Sequence, residues 1–413
     1  MTRSPLVVAL AAVAAAVVLR GQADPIVEKA RRLHAEAIVV DTHIDTTLRL
    51  TRGWKFEERH QAPSSRADDA SSVDLPRMRE GGLDAAFFAV FVPGTVTGSA
   101  AVSRARDEFD ELKALVATHP ADLTLCTTAS EVRAAHKSGK IAVLIGVEGG
   151  HMIADSLDVL RDYAHLGARY LTLTHTVNVT WADSSGDKPK ANGLTDFGRS
   201  VVRELNRLGV MVDVSHASDK TFWDVLGASQ APVIASHSAC RALCGHPRNL
   251  SDDMIKALAA RGGVIQINFM DGYIDQAVFQ EQEKRRPALE ALQADLERRY
   301  PGADNEAKRW QEIRAAYERM GPVPVASWER IVDHIDHVVK LVGPDHVGLG
   351  SDFDGASMPQ GMEDCTGLPK ITEALLRKGY KEQAIRNILG GNILRVMEQV
   401  EKIGRTLQAQ PLP

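Results

Sequence analysis

Four histidines and three acids in this chain, His43, Asp45, Glu148, His175, His216, His237 and Asp352, each fall at or near the end of a short apolar run. Imidazole nitrogen and carboxylate oxygen are the ligand types for zinc and similar divalent cations. Five of the seven, His43, Asp45, Glu148, His216 and His237, outnumber the three protein ligands that one catalytic zinc takes. Two zinc ions sharing Glu148 as a bridge satisfy the count; one ion with spectator residues is the weaker alternative. No single signal is specific, since His-x-Asp matches often by chance and a lone His at a strand end is usually a hydrogen-bonded structural residue. The set is specific, because several imidazoles and carboxylates buried at one rim without a cation would carry a large desolvation cost.

Asp352 lies in Gly350-Ser351-Asp352-Phe353-Asp354-Gly355. A carboxylate there, beside a metal-activated water, can take its proton and return it to a leaving amine. Asp354 lies further into the loop and reads as a turn residue before Gly355. His175 can be a sixth ligand or donate a hydrogen bond to the oxyanion of a carbonyl substrate. Arg248, in His246-Pro247-Arg248-Asn249, can bind a substrate carboxylate bidentately.

These residues can meet only if the elements carrying them end at a common rim. Eight strand-like runs provide that, at residues 37–45, 85–92, 141–148, 169–175, 210–216, 232–237, 263–269 and 346–352. Each is almost continuously apolar, the pattern of a strand buried on both faces in a parallel sheet. Amphipathic stretches at 102–117, 157–166, 197–208, 254–260 and 328–342 lie between them, with Gly at several joins to close the helices. The alternation predicts an α/β fold of the (β/α)8 TIM barrel type, with an open doubly wound sheet as the alternative; in the barrel all strand C-termini face one rim. His43 and Asp45, two apart on one strand, then share a face. Two segments exceed a minimal barrel. Residues 47–72 form a long loop after the first strand, on the side where loops cover active sites. Residues 271–325 read as a helical insertion after strand seven. Of the 20 residues from 281 to 300, 10 are charged, as in a solvated helical hairpin with no chemistry of its own.

Composition narrows the rest. The 413 residues carry 49 Lys+Arg against 54 Asp+Glu and are 44% hydrophobic, which excludes disorder, collagen and coiled coil. A net charge of −5 with no dense basic run offers no footprint for nucleic acid or a polybasic membrane contact. Arg3, the apolar run 6–19 and Gly21-Gln22-Ala23 make the three-part pattern of a signal peptide over residues 1–23, too short to span a membrane. Residues 24–413 then form a single catalytic barrel domain, exported to the periplasm or secreted, with no membrane anchor once the signal is removed. Export permits disulfides, but Cys126, Cys240, Cys244 and Cys365 are too few for a disulfide scaffold and read as core filler.

The motifs occur in a telling order: Asp41-Thr42-His43-Ile44-Asp45, then Val147-Glu148-Gly149-Gly150-His151, then Arg169-Tyr170-Leu171-Thr172-Leu173-Thr174-His175 with Trp181-Ala182-Asp183. Asp213-Val214-Ser215-His216, Ser236-His237-Ser238 with Arg248-Asn249, and the Gly350 to Gly355 loop follow. Over residues 37–395 the chain resembles the renal or membrane dipeptidase family of binuclear zinc enzymes. The resemblance implies a hydrolase of dipeptides, often tolerant of a C-terminal D-residue, some members of which open β-lactams. It implies one zinc on His43 and Asp45, a second on His216 and His237, Glu148 between them, and a zinc-bridging hydroxide as nucleophile. It gives His175 the tetrahedral intermediate, Arg248 the substrate carboxylate and Asp352 the proton shuttle, and suggests a homodimer. The long insertion departs from the family pattern, as does Thr176-Val177-Asn178, where relatives often carry a Cys. Two other readings keep the barrel. A lactonase, phosphotriesterase or related amidohydrolase is disfavoured because strand four ends Thr174-His175, without the Lys that many such barrels carboxylate as a bridge. The other is a non-catalytic barrel that binds metal or peptide.

Overall fold

The computed structural model describes residues 24–50, 53–63, 70–302 and 305–409; the predicted signal peptide, 1–23, and part of the 47–72 loop lie outside them. Nine strands run parallel in one sheet: β1 (Val40–Ile44), β2 (Ala85–Phe91), β3 (Leu123–Leu125), β4 (Ile141–Glu148), β5 (Ala168–Thr172), β6 (Met211–Asp213), β7 (Ile234–Ser238), β8 (Val264–Ile267) and β9 (Val347–Leu349). Their order is β2-β1-β9-β8-β7-β6-β5-β4-β3, and pairing of β2 with β4 from Ala85↔Ala142 to Phe91↔Glu148 closes eight of them into a barrel. The extra strand, β3, takes the edge of β4 only at Ile141, Ala142 and Val143; β5 takes the same edge from Ile145 to Glu148. No run of the sequence predicts β3, because three residues are too few to show a period.

Each of the eight predicted runs overlaps one barrel strand, to within one residue at the start of β5 and the end of β7, and the helices Gly98–Thr118, Leu157–Leu166, Asp196–Leu208, Asp252–Ala260 and Glu329–Val342 occupy the predicted intervals. Alternation along β2 and β4 sorts side chains between two cores. Phe88, Val90, Val143 and Ile145 meet the surrounding helices, whereas Phe87 and Leu144 fill the barrel interior with Val40, Tyr170, Met211 and Ile234. The C-terminal helix Asn392–Gln408 packs Ile393, Val396 and Val400 against that inner cluster. Each large side chain so buried contributes about 1.5–3 kcal/mol, and the filled interior supports the rim. All four cysteines are buried and unpaired.

The strands are shorter than their apolar runs. β5 stops at Thr172, β6 at Asp213 and β9 at Leu349, so His175, His216 and Asp352 sit three residues past their strands, in loops rather than at strand ends. The backbone leaves the extended conformation there. His216 has φ 65° and Asp352 φ 67°, and the Ala217 N–H bonds back to the Val214 carbonyl at 3.1 Å. A left-handed residue other than glycine costs about 1–3 kcal/mol and persists where surrounding structure holds it. Between β8 and the helix Glu329–Val342 that precedes β9 lie a short turn of helix, Asp271–Ile274, and two helices, Gln276–Arg299 and Glu306–Arg319.

Candidate active site

β1, β4 and β7 deliver His43, Glu148 and His237, and the loops after β1, β5, β6 and β9 deliver Asp45, His175, His216 and Asp352. All seven meet at the C-terminal rim, around Glu148. Its Oε1 lies 3.1 Å from His216 Nε2, 3.2 Å from His237 Nε2 and 4.0 Å from His175 Nε2. Its Oε2 lies 3.5 Å from His43 Nε2, which is itself 3.6 Å from Asp45 Oδ2 and 4.0 Å from Asp352 Oδ1. The two oxygens of one carboxylate thus face two donor sets. Three overlapping triplets, His43-Glu148-His237, Glu148-His175-His216 and His43-Asp45-Asp352, each hold their donor atoms within 4.8 Å of one another.

The donor set fits a divalent metal. Ligands bonded at about 2.1 Å in a tetrahedron stand about 3.4 Å apart, close to the spacings around His43. His43 Nε2 is buried without a hydrogen-bond partner, and its neighbouring carboxylates lie beyond good hydrogen-bonding distance. A cation among them would answer all three groups.

The electrostatics agree. Burial opposes charge on Glu148, but His43, His175 and hydrogen bonds from His216 and His237 outweigh it and hold the carboxyl well below its usual range. Burial, reinforced by Arg248 and neighbouring imidazoles, keeps His216 and His237 well below theirs, in the neutral form a ligand requires. Burial also dominates at His175, which is lowered. At His43 burial acts the same way, but Tyr170, Glu148 and Asp45 outweigh it and raise the imidazole well above its ordinary value, so the acids call for positive charge here. Burial and the Asp45 charge push Asp352 up to about 7.

Two of the ring nitrogens turned away from Glu148, those of His43 and His237, are also tied. His43 Nδ1 lies 2.8 Å from the Tyr170 hydroxyl. His237 Nδ1 lies 2.7 Å from Ser236 Oγ, which donates to Asp213 at 2.6 Å; Asp213 also accepts from Thr172 Oγ1 at 2.5 Å. Such outer partners fix the tautomer and orientation of a ligating imidazole. Sequence reasoning assigns no role to Tyr170 or Asp213, although a polar group inside an apolar strand needs a partner and so carries a signal. It also misses Asn268, just past β8, whose Nδ2 donates to Asp352 Oδ2 at 2.9 Å. Asp354 points elsewhere: Thr46 Oγ1 and the Ser72 N–H, both at 2.7 Å, Ser71 Oγ and Arg49 Nε surround its carboxylate, which ties the first loop to the last.

Arg248 is 5% exposed. It donates to Ser238 Oγ at 2.7 Å and to the His237 carbonyl at 2.8 Å, and its guanidinium lies 5.9 Å from the centre of the Tyr273 ring. Its Nε has no partner, and no carboxylate among the described residues forms an ion pair with it. A buried cation lacking a counter-charge bears a desolvation cost of several kcal/mol, which an incoming anion would offset.

Residues 27–411 match the family described as Membrane dipeptidase (Peptidase family M19). The chain is 34% identical over 397 residues to dipeptidase verJ of Clonostachys rogersoniana, covering 93% of this chain and 90% of that one. Its fold is similar to the crystal structure of the probable dipeptidase PvdM from Pseudomonas aeruginosa, with a TM-score of 0.76 and 30% identity, covering 92% of this chain and 99% of the other. It is also similar to a metallo peptidase from Rhodobacter sphaeroides liganded with a phosphinate mimic of the dipeptide L-Ala-D-Ala, with a TM-score of 0.70 and 28% identity, covering 88% and 99% of the two chains. The closed parallel barrel, the donor-rich rim and the match along nearly the whole length lead to one conclusion: the chain belongs to the membrane dipeptidase family of metallopeptidases, peptidase family M19.

Proposed function

We propose that the protein hydrolyses the peptide bond of dipeptides, including those with a C-terminal D-residue, with two zinc ions held at the barrel rim. The observation that carries this is Glu148, one buried carboxylate whose oxygens face separate sets of donors. His43 and Asp45 would hold one ion and His216 and His237 the other, with Glu148 shared between the two sets. Bound zinc lowers the pKa of water towards neutrality and polarises a carbonyl. Arg248 takes the substrate's terminal carboxylate in charge-assisted hydrogen bonds. His175, the most exposed of the four imidazoles, donates to the developing oxyanion. Asp352 accepts a proton on Oδ1, since Asn268 occupies Oδ2, and passes it to the departing amine. The dipeptide mimic held by the Rhodobacter sphaeroides relative supports this substrate class. Residues 1–23 act as a signal peptide that exports one catalytic domain, 24–413; no helix among the described residues is long and apolar enough to cross a membrane.

The test is hydrolysis of free and C-terminally amidated dipeptides by zinc-replete protein, with activity lost to a chelator and regained with zinc. Arg248→Ala should lower kcat/KM on free dipeptides by on the order of 100-fold and change little on the amides. Equal losses on both would remove Arg248 from the carboxylate, and absence of turnover on every dipeptide would sink the reading.

A second expectation concerns His43. Gly146 and Tyr170 are cross-strand neighbours, and a Cβ at 146 would overlap the Tyr170 ring. Tyr170→Phe removes the partner of His43 Nδ1, and Gly146→Ala displaces it. Each should weaken one of the two zinc ions by about 10–100-fold in a chelator competition while the second stays bound. Unchanged affinities in both variants would show that His43 needs no outer partner.

A further inference from the structure

The helices between β8 and β9 build a cavity beside the rim, with a volume of about 400 Å³. His246, Met270 and Tyr273 form its barrel-side wall, and Leu289, Ile313 and Tyr317 of the insertion form the opposite one. The barrel-side wall is tied to both ends of the catalytic centre. Asn268 donates to Asp352 through Nδ2 and accepts the Met270 N–H on Oδ1 at 2.6 Å. At the other end Tyr273 lies against the Arg248 guanidinium, and His246 Nδ1 accepts the Arg248 N–H at 3.0 Å. Segment 268–273 therefore runs from the proton-transferring carboxylate to the carboxylate-binding guanidinium.

The C-terminal residue of a dipeptide has the same two ends. Its nitrogen is the leaving amine, which must meet Asp352, and its carboxylate belongs at Arg248. Its α-carbon would then lie alongside segment 268–273, whose Met270 and Tyr273 also line the cavity. We infer that this cavity receives the side chain of the substrate's C-terminal residue and selects aliphatic or aromatic ones; the inference rests on the dipeptidase reading above.

The charges argue against an acidic side chain. Arg286, the one cation of the lining, is paired with Glu283, and Glu290 adds a further negative charge, so an acidic side chain finds no free counter-ion. Burial, with Arg248 and Arg286 adding to it, lowers His246 to about 4 and leaves its ring neutral. The far wall is braced in place. Arg285 is buried, donates to the Gly321 and Pro322 carbonyls at 3.0 and 2.9 Å, and holds its guanidinium 5.1 Å from the centre of the Tyr317 ring.

The test compares kcat/KM for Ala-Gly, Ala-Leu and Ala-Phe with the reversed Leu-Ala and Phe-Ala, in zinc-loaded wild type and Ile313→Trp, which narrows the cavity. Wild type should prefer Ala-Leu and Ala-Phe over Ala-Gly by about tenfold or more, the scale of discrimination in a hydrophobic pocket. Ile313→Trp should erase that preference and leave Ala-Gly, Leu-Ala and Phe-Ala unchanged, which also reports an intact fold. Tyr317→Ala, which opens the wall, should reduce the same preference. A variant profile equal to that of wild type, or a loss that follows the N-terminal residue, overturns the assignment while dipeptide hydrolysis itself stands. Failure of wild type on every dipeptide overturns the dipeptidase reading and this one with it.

Discussion

Glu148→Gln should reduce dipeptide hydrolysis by about 1000-fold or more and cut the zinc content from the proposed two ions per chain to less than one. The change is nearly isosteric, so the 3%-exposed side chain keeps its packing. It loses the negative charge and replaces one of two acceptor oxygens with an NH2 donor. Whichever way the amide turns, one donor set then faces N–H groups: either His216 and His237, now 3.1 and 3.2 Å from Oε1, or His43, 3.5 Å from Oε2. The Lewis-acid contribution lost is several kcal/mol, and about 4 kcal/mol corresponds to the rate loss given. Elemental analysis after gel filtration, beside circular dichroism to verify folding, measures it. Two zinc ions retained in a folded variant would show that Glu148 does not join the sites.

Asp352→Asn should do the opposite to metal and the same to turnover: zinc stays near two per chain and kcat falls by about 100- to 10,000-fold. The backbone makes this substitution clean. Asp352 has φ 67°, a conformation that Asn and Asp tolerate better than other residues with a side chain, so Asn keeps the loop where Ala would add strain. The amide oxygen can still accept from Asn268, leaving loss of the proton-accepting oxygen as the main change. KM should move little, because the missing step follows binding. A folded, zinc-loaded Asp352→Asn with wild-type kcat would reassign the proton to another group.

The barrel is legible because parallel strands buried on both faces appear as apolar runs, and eight such runs are present. Their ends are harder to read. Leu173 and Val214 are fully buried although they lie beyond β5 and β6, so hydrophobicity continues where strand pairing stops. The seven rim residues stand out as polar interruptions after apolar runs. Their supports do not, because those depend on register across the sheet: Gly146 opposite Tyr170, and Asp213 reaching the neighbouring Ser236 and Thr172. The insertion was legible as charged helix, but Leu289, Ile313 and Tyr317 are too sparse among those charges to announce an apolar wall.

The closure of the barrel also sets a schedule. β9 enters between β8 and β1, where Leu349 pairs with Asp41 and the Asp352 N–H bonds to the His43 carbonyl at 3.0 Å. Ser351 and His43 touch across 308 residues of chain. A ribosome that has made everything up to β8 has produced the imidazoles and Glu148 but neither Asp352 nor the strand that clamps β1 in place, and closing so long a loop comes late on entropic grounds. Competence therefore waits on the docking of the last stave beside the first.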